Sequence, residues 1–94
     1  EQQTLQDPMF LMQQMELREE LEELASASDP DSAIDHFEKQ IKQLDQQYSA
    51  QLAEQLASND AQQYQQAADS IRKLKFVYKL RDELERIEDS LFDD

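Results

Sequence analysis

Residues Ser26 to Ser32 read SASDPDS, and this stretch decides how the chain folds. Ser and Asp hydrogen-bond their own backbone and disfavour a helix interior. Asp29 before Pro30 is also a start signal. Aspartate caps the open N–H groups of a helix, and proline fits the first helical position because its missing N–H would go unpaired there anyway. One helix must therefore end near residue 25 and another begin at residue 30. Upstream, Asp7–Pro8 carries the same signal, which sets the first helix at about residues 8–25. Downstream the helical pattern runs to about residue 57, where "SND" interrupts it with Ser58 or Asn59 as the next cap. A third helix is predicted over about residues 61–91.

Composition agrees with this reading. The 94 residues contain no Gly, no Trp, no Cys and only two Pro, which suits long helices and deprives hairpin turns of their usual glycine. This length makes one domain, near the small end of what folds on a single core. Without cysteine there is no disulfide framework, no zinc–thiolate site and no thiol nucleophile. The longest apolar run is "MFLM", too short for a membrane span or a secretory signal, so a cytoplasmic protein is expected. The chain opens on Glu1, as a processed protein or a piece of a longer one would. A net charge of −13 argues against nucleic acid and against anionic membranes. Six of the nine Lys and Arg are gathered between Arg72 and Arg86, whereas Glu16 to Glu23 holds five carboxylates. Periodic Leu, Ile, Phe and Tyr set the chain apart from a disordered acidic tail.

The expected fold is all-α. Short connections make successive helices antiparallel neighbours, giving a three-helix bundle. Its second and third helices, about 28 residues or more, form a hairpin roughly 42 Å long, partly covered by the shorter first helix. The second helix carries Ile34, Phe37, Ile41, Leu44, Tyr48, Leu52 and Leu56 on one face. The third begins an apolar stripe with Tyr64, Ala67, Ile71, Leu74 and Tyr78, then shifts to Val77, Leu80, Leu84, Ile87 and Leu91. A shift of this kind lets a long helix change partners along its length.

The first helix has more apolar residues than this bundle needs. Phe10, Leu21 and Leu24 fall within roughly 40° of Leu17 on a helical wheel and form one stripe with it. Leu11, Met12 and Met15 fall on the opposite side, among Glu16, Glu19 and Glu23. In the third helix Phe76 lies off both apolar registers, beside Arg72, Lys79 and Glu83. Counting through the two turns brings Phe76 level with about residue 12. Leu11, Met12, Met15 and Phe76 are therefore expected to meet in one exposed apolar patch. Contiguous exposed apolar surface usually marks an interaction site, and methionine makes adaptable contacts there. Periodicity alone leaves two readings open: a partner site, or incidental surface and a self-association contact.

"FLMQQMELREELEEL" and, after a helical hairpin, "AADSIRKLKFVYKLRDELERIE" resemble the C-terminal domain of the HscB family, the J-type co-chaperones of bacterial iron–sulfur cluster assembly. The likeness extends over essentially the whole chain; the middle helix is generic. It implies a three-helix C-terminal bundle joined, in the family, to an N-terminal J domain. It further implies that this bundle binds the cluster scaffold IscU, while the J domain stimulates the ATPase of the DnaK-type chaperone HscA. Position by position, the family's scaffold-binding surface falls on Leu11, Met12, Met15, Glu16, Glu19, Glu23 and Phe76. The family's His-Pro-Asp signature is not in these 94 residues, whose single histidine, His36, stands in "DHFE". Binding to scaffold, without direct stimulation of HscA, is therefore expected of this chain.

Other constellations read as structure. His36 has no second His or Cys to complete a metal shell. Asp29, Asp31 and Asp35 faintly resemble a calcium loop, yet lack its glycine and its spacing, so capping accounts for them better. Glu22 and Arg86, close in level, are candidates for a surface ion pair. The Arg72-to-Lys79 cluster is expected to complement the acidic first helix rather than to bind nucleic acid. Paired carboxylates abound, but on convex helix faces without Ser, Cys or His partners, which general acid–base chemistry would need in a shaped pocket. No enzyme, cofactor or metal site is expected.

Overall fold

The computed structural model describes residues 7–92, which form three helices: α1 (Pro8–Glu23), α2 (Pro30–Ala57) and α3 (Ala61–Phe92). Each start is capped. The Asp7 carboxylate accepts from the Phe10 N–H at 3.1 Å, and Asp29 accepts from the Ser32 N–H at 3.3 Å. For α3 the cap is Asp60, not Ser58 or Asn59: its carboxylate accepts from the Gln62 N–H at 3.0 Å. Ser58 instead closes α2 in extended backbone, and its hydroxyl accepts from the Asp60 N–H at 3.1 Å. The last turn of α1 tightens, Ser26 and Ala27 donating three residues back to Glu23 and Leu24.

Side-chain pairs fix the topology. Gln40 reaches Glu20 and Tyr48 reaches Gln13, so α1 and α2 run antiparallel. Ser70 reaches Gln55 and Arg81 reaches Asp45, so α2 and α3 do likewise. In the parallel pair α1–α3, Asp7 meets Lys73, Phe10 meets Phe76 and Arg18 meets Glu83. The bundle is 51 Å along its longest axis, along which α2 and α3 run and which α1 covers only in part.

Phe37, Val77 and Leu80 lie at the centre of the core with no exposed surface. Around them pack Phe10, Leu17 and Leu21 from α1 with Leu24 at its C-cap, Ile34, Ile41 and Tyr48 from α2, and Leu74, Phe76 and Leu84 from α3. Each such side chain contributes about 1.5–3 kcal/mol of hydrophobic transfer energy, against the entropy of ordering it.

The stripe expected on the first half of α3 is corrected. Tyr64, Ile71 and Tyr78 are exposed, and the buried series is Ala67, Ser70, Leu74 and Val77. At Tyr64 and Ile71 α3 faces α2 alone, because α1 begins only at the level of Lys73, so one narrow arc is covered; Tyr78, past that level, lies on the side of Val77 away from α1. Ser70 occupies a buried position because its hydroxyl donates to the Gln55 amide oxygen at 2.8 Å. Leu56, expected on the inner face of α2, is exposed as well.

Candidate functional site

The seam between α1 and α3 organises the site. Lys73 donates to the Asp7 carboxylate at 3.1 Å, and its ammonium lies over the rings of Phe10 (5.4 Å) and Tyr48 (5.5 Å). Asp7 is thereby held below the ordinary carboxylate range, first by the Phe10 N–H and then by Lys73. Burial, and secondarily the Asp7 charge, pushes the Tyr48 hydroxyl up, so it stays a neutral donor to the Gln13 side chain at 3.1 Å. Further along, Arg18 pairs with Glu83 at 2.9 Å and its guanidinium lies 5.7 Å over the Phe76 ring. The Glu22–Arg86 pair does not form; both side chains are exposed, and Arg18–Glu83 takes its place a turn earlier.

With the inner stripe of α1 fixed, its outer side is displayed. Leu11, Met12 and Met15 are 57%, 61% and 63% exposed. Glu16, Glu19 and Glu23 are exposed on the same side. Phe76 is the exception, and its expected place is corrected. At 8% exposure it belongs to the core, edge to face against Phe10 with ring centroids 5.7 Å apart. The level inferred for it was close, but α3 has two neighbours here. Val77 turns toward α2 and Phe76 turns toward α1, so the buried arc is wider than a single stripe. Two residues escaped the sequence reading. Met9 is 79% exposed and belongs to the same "MFLM" run, which was the signal for it. Arg18 was legible only as the lone cation in an acidic stretch. Met9, Met12, Gln13, Glu16, Tyr48 and Lys73 line a groove of about 410 Å³ between α1 and α2.

A family model described as the HSCB C-terminal oligomerisation domain matches residues 6–85. The chain belongs to this HscB C-terminal family. A co-chaperone protein HscB homolog of Photobacterium profundum is 57% identical over 95 residues, covering 99% of this chain and 53% of that protein. One from Vibrio cholerae serotype O1 is 54% identical over 91 residues, covering 97% of this chain and 52% of that protein. Among solved structures, the chaperone HscB from Vibrio cholerae superposes with a TM-score of 0.82 at 48% identity, over 96% of this chain and 53% of that one. This HscB-family chain therefore spans about half the length of the relatives it matches, and the all-α bundle is the fold it shares with the matched half of the solved HscB. No described helix is long and apolar enough to cross a membrane.

Proposed function

We propose that this domain is the scaffold-binding half of an HscB-type co-chaperone. It holds the iron–sulfur cluster scaffold IscU on the outer side of α1 and delivers it to the DnaK-type chaperone HscA, which a J domain would engage. The observation that carries this reading is that α1 is apolar on two sides. Phe10, Leu17, Leu21 and Leu24 already supply its packing stripe, so the fold has no use for Leu11, Met12 and Met15. Glu16, Glu19 and Glu23 rim that apolar centre, an arrangement of apolar anchors within a polar border typical of protein interfaces. Phe76 serves as the backing of this face rather than as a contact. The reading assigns no reaction to the domain, which acts as an adaptor.

Titration against IscU, followed by NMR, tests it. Leu11→Ala, Met12→Ala and Met15→Ala together should all but abolish binding while the helix content and melting temperature stay near the parent's. Normal binding by the folded triple variant would move the scaffold to another face.

The word "oligomerisation" in the family's description favours a second reading, in which the same patch joins copies of the domain. Sedimentation at micromolar concentration separates the two. The adaptor is monomeric until IscU is added; the oligomer is not.

A further inference from the structure

The basic cluster of α3 divides into two sets. Lys73 and Arg81 are spent within the bundle, pairing with Asp7 and Asp45, and Arg72 pairs locally with Asp69. Lys75, Lys79 and Arg86 are exposed, and among the described residues they enter no ion pair. At 100° per residue these three fall within a band of roughly 40°, on the side of Phe76 away from Val77. Val77 lies deep in the core and Phe76 meets α1, so this band flanks α1 on its outer side.

Level separates the three further. The pairs Asp7–Lys73, Phe10–Phe76 and Arg18–Glu83 place Lys75 and Lys79 alongside about residues 9–14 of α1. That is the stretch holding Leu11 and Met12, with Met15 a turn on. Arg86 is instead level with the acidic end of α1, where Glu19, Glu22 and Glu23 stand, away from Leu11 and Met12. On the wheel of α1, Leu11 and Met15 follow directly after Arg18, which reaches across the seam to α3. The order across the surface is thus a cationic pair on α3, an apolar ridge, and the carboxylates of α1.

We infer that Lys75 and Lys79 form the second edge of the docking face, and that the bound protein presents an acidic patch to them beside the basic one that meets Glu16, Glu19 and Glu23. This rests on the scaffold-binding reading of α1 and deepens it. A polyanion is the poorer occupant, because two free lysines sit in a field of −13 with a carboxylate row across the ridge. A folded protein with charges of both signs answers that pattern, which also fixes the direction in which it can lie. Since rim charges act chiefly on encounter, association rate is the quantity to measure.

The test compares the parent, Leu11→Ala/Met12→Ala and Lys75→Glu/Lys79→Glu in stopped-flow mixing with IscU at low and high salt. The lysine reversal should slow association about tenfold at low salt, with the gap closing at high salt and dissociation little changed. Circular dichroism should show unchanged helix content, since both side chains are exposed. If the parent binds, the alanine pair abolishes binding and the lysine reversal associates as fast or faster, this inference fails while the α1 reading stands. A parent that does not bind IscU overturns both. Binding of a single-stranded oligonucleotide that the reversal abolishes would assign the lysines to nucleic acid and overturn it too.

Discussion

Phe10 and Phe76 meet edge to face, their ring planes 84° apart, and Arg18 covers Phe76 from further along α1. This contact holds the helix that bears the exposed patch against the hairpin. It ties the patch to the core although neither ring is part of the exposed surface.

Phe76→Ala should therefore behave as a core truncation and cost about 3–5 kcal/mol in urea denaturation. Leu80→Ala, at the centre, should cost about 2–5 kcal/mol. Leu11→Ala, on the outer side, should stay within about 0.5 kcal/mol of the parent. A Phe76 variant as stable as the Leu11 variant would return that ring to the surface.

The carboxylates of α1 should matter for rate rather than for fold. Glu16→Lys combined with Glu19→Lys should slow association with IscU at low salt and flatten its salt dependence, with helicity unchanged. Rates identical to the parent's at low salt would leave the row as a solubilising surface only.

Asp45 is held below the ordinary carboxylate range by Arg81, which donates at 2.7 Å, and then by the Ser49 hydroxyl. A depressed folded pKa contributes stability above the unfolded value of 3.8 and loses it as pH falls through the lowered one. Asp45→Asn should accordingly be less stable than the parent at neutral pH, and the gap should close on acidification below that value. A gap independent of pH would mean that shape, not charge, sets the contribution.

Glu88 has the opposite sign. Burial raises its pKa, and Glu38 across the hairpin, with Glu85 and Asp89 beside it, raises it further. Its contribution is present below the ordinary value of 4.5 and is lost as pH rises through the raised one. Glu88→Gln should then stabilise at neutral pH, by at most ~0.5 kcal/mol for a site near the surface. Melting curves that show the gain persisting in acid would contradict the charge account.

The punctuation of the chain was legible because it is local chemistry. Asp7–Pro8 and Asp29–Pro30 start helices by satisfying backbone N–H groups within the same turn, and both do so in the structure. Leu17, Leu21, Ile34, Phe37, Ile41, Leu80 and Leu84 were legible because each faces a core whichever neighbour covers it. Tyr64, Ile71, Tyr78 and Phe76 were misplaced for a non-local reason. How wide a buried arc becomes, and to which side it extends, depends on the flanking helices: α3 has one neighbour at Ile71 and two at Phe76, and the second extends the arc toward Phe76, leaving Tyr78 outside it. Ser70 eluded an apolar pattern altogether, since its buried place depends on Gln55 of another helix. The outer side of α1 was legible in direction, while its flank on α3 depended on knowing which lysines the bundle consumes.

The two-sided character of α1 gives the shortest helix of the bundle an unusual position once it is occupied. Alone it is the outermost strip of the domain, anchored along one edge. With a protein on its outer side it becomes the middle layer of a sandwich, covered by the hairpin on one side and by the guest on the other. Local opening of α1 must then break both sets of contacts at once. Amide exchange along residues 10–23 should slow on complex formation far more than along α2, even though no backbone atom need move. In such an assembly the guest would close the open side of α1, and rigidity, not shape, would be what changes on binding.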